Sequence, residues 1–145
     1  MPSGWHARVG LTALGPEQAA VWLATSVVEA GYGAVRALHS VSLRVKAGET
    51  VALLGTNGNG KSTLIKCIMG IVRPSAGRIV VEIDGQKHDL IGRSTEEIVD
   101  LGIALVPEGR RLFPKLTVVE NLMLGAFRKV ARGAIYRNLA LAYET

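Results

Sequence analysis

A chain of 145 residues with 48% hydrophobic and 20% charged side chains has room for one domain with a sizeable core, which excludes a disordered polypeptide. Its formal charge of +5 suits nucleic acid, an anionic membrane surface or phosphorylated ligands, and the charge alone does not choose among them. The single cysteine, Cys67, excludes an intramolecular disulfide, is compatible with a reducing cytoplasm, and reads as a small core residue.

In chain order, residues 1–25 carry the least information. Met1-Pro2-Ser3-Gly4-Trp5-His6 is turn-like, Gly15-Pro16 interrupts the segment, and residues 17–23 read as a short helix or an unstructured extension. The apolar run 19–28 contains Thr25 and Ser26 and falls short of the roughly 20 residues that a bilayer-spanning helix needs. As a secretory signal the segment is poor, because its nearby positive charge is Arg8 and Pro16 separates that charge from the apolar run. His6, His39 and His88 have no second ligand at metal spacing and are assigned no site.

From Ser26 onward, short strand-like runs alternate with turn residues: 27–30, then Gly31-Tyr32-Gly33, then 41–45, where Val41, Leu43 and Val45 alternate with Ser42 and Arg44. This reads as antiparallel sheet. Tyr32 stands in a glycine-flanked turn, where its ring is free either to stack on a nucleotide base or to pack.

Residues 51–54 read as a short buried strand, and residues 62–69 as a helix ended by Gly70. Between them, Gly55-Thr56-Asn57-Gly58-Asn59-Gly60-Lys61-Ser62-Thr63 satisfies G-x-x-x-x-G-K-[ST], in the strand-loop-helix setting this pattern requires. A phosphate chain needs many N–H donors converging from one side. Gly55, Gly58 and Gly60 keep side chains out of the way, and the helix N-terminus adds its positive end. Lys61 is spaced to reach β- and γ-phosphates, and the Ser62 hydroxyl to hold Mg²⁺.

Beyond the helix, 78–83 alternates as a strand closed by the hairpin pair Asp84-Gly85. Ser94 to Glu97 has capping-box spacing and opens a short helix to about residue 101, ended by Gly102. The apolar run 103–106 before Pro107 is expected as a buried parallel strand. Thr117 to Glu120 repeats the capping-box spacing before a helix to about residue 126, and a further helix spans 135–143. Two stretches end apolar runs in acids. Asp84 precedes a glycine in a hairpin turn and Asp100 lies in a capped helix, so neither reads as a catalytic carboxylate.

The order of Tyr32, the phosphate-loop segment 48–64, Val106-Pro107-Glu108-Gly109-Arg110-Arg111-Leu112-Phe113-Pro114 and Thr117-Val118-Val119-Glu120-Asn121-Leu122 resembles the ATP-binding subunits of ABC transporters. Within that family it is most similar to subunits of branched-chain amino-acid importers, on the Pro107-Glu108-Gly109-Arg110-Arg111 segment, and the resemblance covers about residues 26–129. It implies an α/β fold: a P-loop NTPase core with an antiparallel β subdomain, C-terminally truncated before the catalytic-carboxylate strand. The chain would divide into an N-terminal extension of unknown role (1–25), a partial ATP-binding domain (26–127) and the start of a helical subdomain (128–145).

Residue by residue, the resemblance matches Tyr32 to the aromatic that stacks on adenine, and residues 55–63 to the phosphate loop, with Gly55, Asn57, Gly58, Asn59, Gly60, Lys61, Ser62 and Thr63 as nucleotide contacts. Glu108 falls where most members have a glutamine that senses the γ-phosphate and metal, which makes it a candidate Mg²⁺ contact beside Ser62; a solvated glutamate paired with Arg110 or Arg111 is the alternative. Leu112 and Phe113 are candidates for a partner-facing surface or for core packing. Implied partners are membrane permease subunits, a second ATP-binding subunit in a homo- or heterodimer and, indirectly, a solute-binding protein, at the cytoplasmic face of the membrane and without nucleic acid.

The signature motif, the catalytic carboxylates and the switch histidine of the family do not occur in these residues. A nucleotide-binding module or truncated product without turnover therefore stands beside the importer reading, and a P-loop kinase or GTPase is a weaker third. In the family's strand order, runs 51–54 and 103–106 would lie about 14 Å apart at roughly 4.8 Å per strand, each with an unpaired edge.

Overall fold

The computed structural model describes residues 7–9, 22–109, 111–126 and 128–144, and the chain divides into two compact units, Met1–Leu105 and Val106–Thr145. In the first, β2 (Trp22–Tyr32) and β3 (Val35–Val45) form a hairpin, preceded by β1 (Ala7–Val9) and followed by β4 (Val51–Leu53), α1 (Lys61–Ile68), β5 (Ala76–Ile83), β6 (Gln86–Asp89) and α2 (Thr95–Asp100). Four strands make an antiparallel sheet in the order β3-β2-β5-β6. Asp84 and Gly85 turn β5 into β6 with φ of 52° and 73°, the paired positive angles that match the twist of a two-residue hairpin.

Period-2 alternation, reset by an extra residue in β2 between Thr25 and Val28 and one in β3 between Leu38 and Val41, where Val27 and Ser40 both have φ of 50°, puts one face of this sheet into the core. Leu23, Val28, Leu38, Val45, Ile79 and Val81 are buried there. Helix α1 covers them with Leu64, Cys67 and Ile68, spaced three and four apart so that they share one helix face, and Leu90, Ile98 and Ile103 join the same cluster. Both halves of the α2 capping box form: the Ser94 N–H donates to the Glu97 carboxylate at 2.7 Å and the Glu97 N–H to the Ser94 hydroxyl at 3.2 Å. The Thr95 hydroxyl donates to the Met69 carbonyl at 3.0 Å, tying α2 to the end of α1.

Several expectations are corrected. Trp22 and Leu23 open β2 and are not the end of a helix, because pairing with β5 at Glu82 and Val81 supplies the ladder; the rest of the expected 17–23 helix lies outside the described residues. The strand expected at 51–54 is not buried: Val51 and Leu53 are half-buried, Ala52 is exposed, and Leu54 is 70% exposed and outside the strand. One of its edges is taken by β1, which pairs with it antiparallel, Ala7 opposite Leu53 and Val9 opposite Val51; among the described residues the other edge stays unpaired, as expected. The run 103–106 forms no strand. Only Ile103 is buried, Val106 is 90% exposed, and the run pairs with no strand among the described residues.

Among its described residues the second unit is helical: α3 (Val118–Leu124), α4 (Lys129–Arg132) and α5 (Ile135–Glu144). The Thr117–Glu120 capping box is complete, with the Thr117 N–H donating to the Glu120 carboxylate at 2.7 Å and the Glu120 N–H to the Thr117 hydroxyl at 3.3 Å. The short α4 has no counterpart in the sequence reading. Among the described residues no helix is long and apolar enough to cross a membrane.

Candidate functional site

The loop between β4 and α1 is built around Gly60. It is the N-cap of α1, in the left-handed conformation at φ 77°, and a Cβ placed there would come within 2.3 Å of the Ala37 carbonyl oxygen and 2.7 Å of Leu38 Cδ2. This glycine therefore lets the loop lie against β3, a reason the sequence reading did not contain. Gly58, at φ 88°, has open space where its Cβ would stand, and Asn57 and Asn59 are exposed beside it.

No side chain caps α1, no acid stands in its first turn, and its first intrahelical bond runs from the Leu64 N–H to the Gly60 carbonyl at 2.9 Å. The N–H groups that precede Leu64 are the orphan donors of a helix start, with the positive end of the helix dipole behind them. Lys61 curls back over the loop: its ammonium donates to the Gly55 carbonyl at 2.8 Å and the Thr56 carbonyl at 2.7 Å. An ammonium has three donors, and these two bonds hold the charge above the loop backbone. Ser62 is exposed, while Thr63 is buried at 6% exposure, so of the two adjacent hydroxyl residues Ser62 is the accessible one. Together, backbone donors, a fixed cation and one accessible hydroxyl suit a phosphate chain with a divalent cation, since hard cations prefer oxygen ligands.

Tyr32 ends β2 opposite Val35 and is 49% exposed. The Lys66 ammonium lies over its ring, 5.8 Å from the centroid. Sequence reasoning missed Lys66: its place four residues after Ser62 fixes its helix face, but nothing local says which strand end that face meets. Cys67, on the core-facing side of α1, is buried, and burial pushes its thiol up, as expected of an inert core cysteine.

Glu108 belongs to the second unit, where it is exposed in a bend; Arg111 donates from Nε to its backbone carbonyl at 3.1 Å, and Arg110 lies outside the described residues. Leu112 and Phe113 are exposed, which counts against core packing within their unit. Asn121 is a second residue that the sequence reading missed. Its amide oxygen accepts the Phe113 N–H at 2.9 Å, and its Nδ2 donates toward the carbonyls of Phe113, Leu116 and Thr117 at 3.2, 3.2 and 2.9 Å. The available signal was an Asn four residues after a helix cap, a residue type that readily bonds backbone.

The ABC transporter family model matches residues 38–143. The chain is 47% identical over 96 residues to the high-affinity branched-chain amino acid transport ATP-binding protein BraG of Pseudomonas aeruginosa, covering 66% of this chain and 40% of that protein. It is 41% identical over 123 residues to the arabinose import ATP-binding protein AraG 2 of Burkholderia cenocepacia, covering 85% of this chain and 22% of the relative. The chain thus spans less than half the length of these relatives. Among solved structures, an ATP-binding subunit of an ABC transporter superposes with a TM-score of 0.55 at 34% identity, over 72% of this chain and 41% of that one.

Proposed function

The chain belongs to the ABC transporter family, and from that membership we propose that it forms the nucleotide-binding part of an importer's ATP-binding subunit, holding Mg-ATP on residues 55–63 with the adenine against Tyr32. The observation that carries this reading is the join at Gly60, where a left-handed glycine starts α1 with uncapped N–H groups and Lys61 is bonded across the loop. Those N–H groups take phosphate oxygens, Lys61 adds the charge, and the Ser62 hydroxyl is the oxygen this segment offers a metal. Mg²⁺, when bound, neutralises charge on the β- and γ-phosphates.

In this reading the subunit works at the cytoplasmic face of a membrane, with permease subunits and a second ATP-binding subunit as partners. Import of branched-chain amino acids is supported by the Pro107-Glu108-Gly109-Arg110-Arg111 segment and the likeness to BraG; the longer match to AraG 2 favours sugar import as the second reading. Uptake of labelled leucine and arabinose by cells lacking the gene separates the two.

Calorimetric titration with Mg-ATP tests the site itself. Lys61→Ala removes the cation fixed over the loop and is expected to weaken binding far more than Tyr32→Ala, which costs about 1–3 kcal/mol, the scale of one stacked base. Unchanged affinity in the Lys61 variant overturns the assignment. Phosphate release by the same protein distinguishes an ATPase from a module that binds without turnover.

A further inference from the structure

Tyr32 is held from two sides. On its own hairpin, Gly31 lies so close to β3 that a Cβ would meet the Val35 carbonyl oxygen at 2.3 Å, which fixes the backbone immediately before the ring. From α1, Lys66 reaches across with its ammonium 5.8 Å from the ring centroid, within cation–π range. The Lys66 backbone is fixed in turn, because its carbonyl accepts the N–H groups of Ile71 at 2.9 Å and Val72 at 3.2 Å where the chain leaves the helix. The side chain is therefore launched from the rigid end of the same helix whose other end carries the phosphate loop.

We propose that Lys66 is a positioning residue for the nucleotide base: its ammonium braces one face of the Tyr32 ring, leaving the other for a purine, and so couples the base platform to the phosphate-binding helix. The inference rests on the reading of Tyr32 as the base-stacking residue. The physical case has two parts. A half-exposed ring at a strand end turns freely about its side-chain torsions, and a cation over one face limits that freedom before the ligand arrives. The cation also draws π density toward itself, which makes the far face a better partner for an electron-rich purine.

The test uses the full chain and two ligands, Mg-ATP and inorganic tripolyphosphate, titrated calorimetrically. Lys66→Gln is expected to weaken ATP about two- to fivefold, the range of an exposed cation–π contact, and to leave tripolyphosphate unchanged. Lys66→Arg is expected to restore ATP affinity, because a guanidinium serves the same ring. In a Tyr32→Ala background, Lys66→Gln is expected to have no further effect on ATP.

Equal weakening of both ligands would show that Lys66 acts on the phosphates by charge alone and would overturn the proposal. Unchanged or tighter ATP binding in Lys66→Gln would overturn it too, the latter by showing that lysine and base compete for one face. If Tyr32→Ala weakens ATP and Lys66→Gln does not, the positioning role fails and the site reading stands. If wild-type protein binds no ATP, both fall. Matching thermal melts of Lys66→Gln and wild type keep a folding defect from passing as a positioning effect.

Discussion

The two units of this chain are held together by different physics. In Met1–Leu105 the sheet and both helices send side chains into one apolar cluster, and Val28, Ile79, Val81 and Ile98 are entirely removed from solvent. In Val106–Thr145 neither α3 nor α5 buries a residue, and Ala126 is the buried hydrophobic among the described residues. Val118, Tyr136, Leu112 and Phe113 face water instead. Isolated helices of seven and ten residues are marginal in water, so the second unit leans on local hydrogen bonds: the Thr117–Glu120 box and the Asn121 staple. The contrast teaches that the first unit has its shape from packing, while the second leans on caps and has many of its apolar side chains exposed.

The largest expected effect tests the packed side. Ile79→Ala empties a fully buried position at the centre of β5 and is expected to cost about 2–5 kcal/mol, from lost burial and the cavity left behind. Urea unfolding followed by circular dichroism measures it. The matching substitution in the second unit, Tyr136→Ala at an 86% exposed position, is expected to stay within about 0.5 kcal/mol. Comparable losses from the two would break the comparison by showing that the second unit has a core of its own.

A smaller effect is expected from Asn121→Ala. The net worth of an ordinary intramolecular hydrogen bond is about 0.5–1.5 kcal/mol, and the staple is half-exposed, so a loss of about 1 kcal/mol confined to the loop before α3 is expected. Hydrogen exchange at the Phe113 amide reads it directly. Faster exchange there, with amides of β2 and β5 unchanged, sharpens the division; slower or equal exchange removes the staple from the account.

What the sequence made legible follows the same division. The glycine-rich turn into α1, the Asp84-Gly85 hairpin and both capping boxes were readable because each is local chemistry: turn dihedrals, orphan N–H groups and fixed offsets. Membership in the ABC transporter family was readable from the motif order and agrees with the family match over residues 38–143. Non-local facts were not readable. The pairing of β1 with β4, the approach of Gly60 to Ala37 and the placing of Lys66 over Tyr32 each join segments that no short-range pattern connects. The apolar run 103–106 failed as a strand for the converse reason: composition announces a buried strand, but a strand exists only when paired, and this run pairs with none among the described residues.

The smallest expected effect is a response to acid that differs between the units. Partial burial pulls the Asp89 carboxyl upward, but the Ile91 N–H, the Arg78 guanidinium and the charges of Arg78 and Arg93 outweigh it and hold the group below the usual carboxylate range. A depressed folded-state value means that the stabilisation is complete above the unfolded value, about 3.9, and is lost as pH falls through the folded one. Because Arg78 and Asp89 are largely solvated, the loss is expected to stay below about 1 kcal/mol, too little to unfold a packed unit. Glu120 is held low by the backbone N–H and then the hydroxyl of Thr117, so its protonation in the same acid range removes half of the capping box on which α3 depends. As pH falls from 6 through the acid range below the ordinary glutamate value, the β5 and β6 amides are therefore expected to keep their protection against exchange after correction for the intrinsic rate, while the first turn of α3 progressively loses its own. Asp89→Asn should flatten the small thermal-melting shift of the first unit over this range, and Glu120→Gln should flatten the fraying of α3. Equal acid sensitivity of the two sets of amides would mean that the second unit is buttressed by more than its caps.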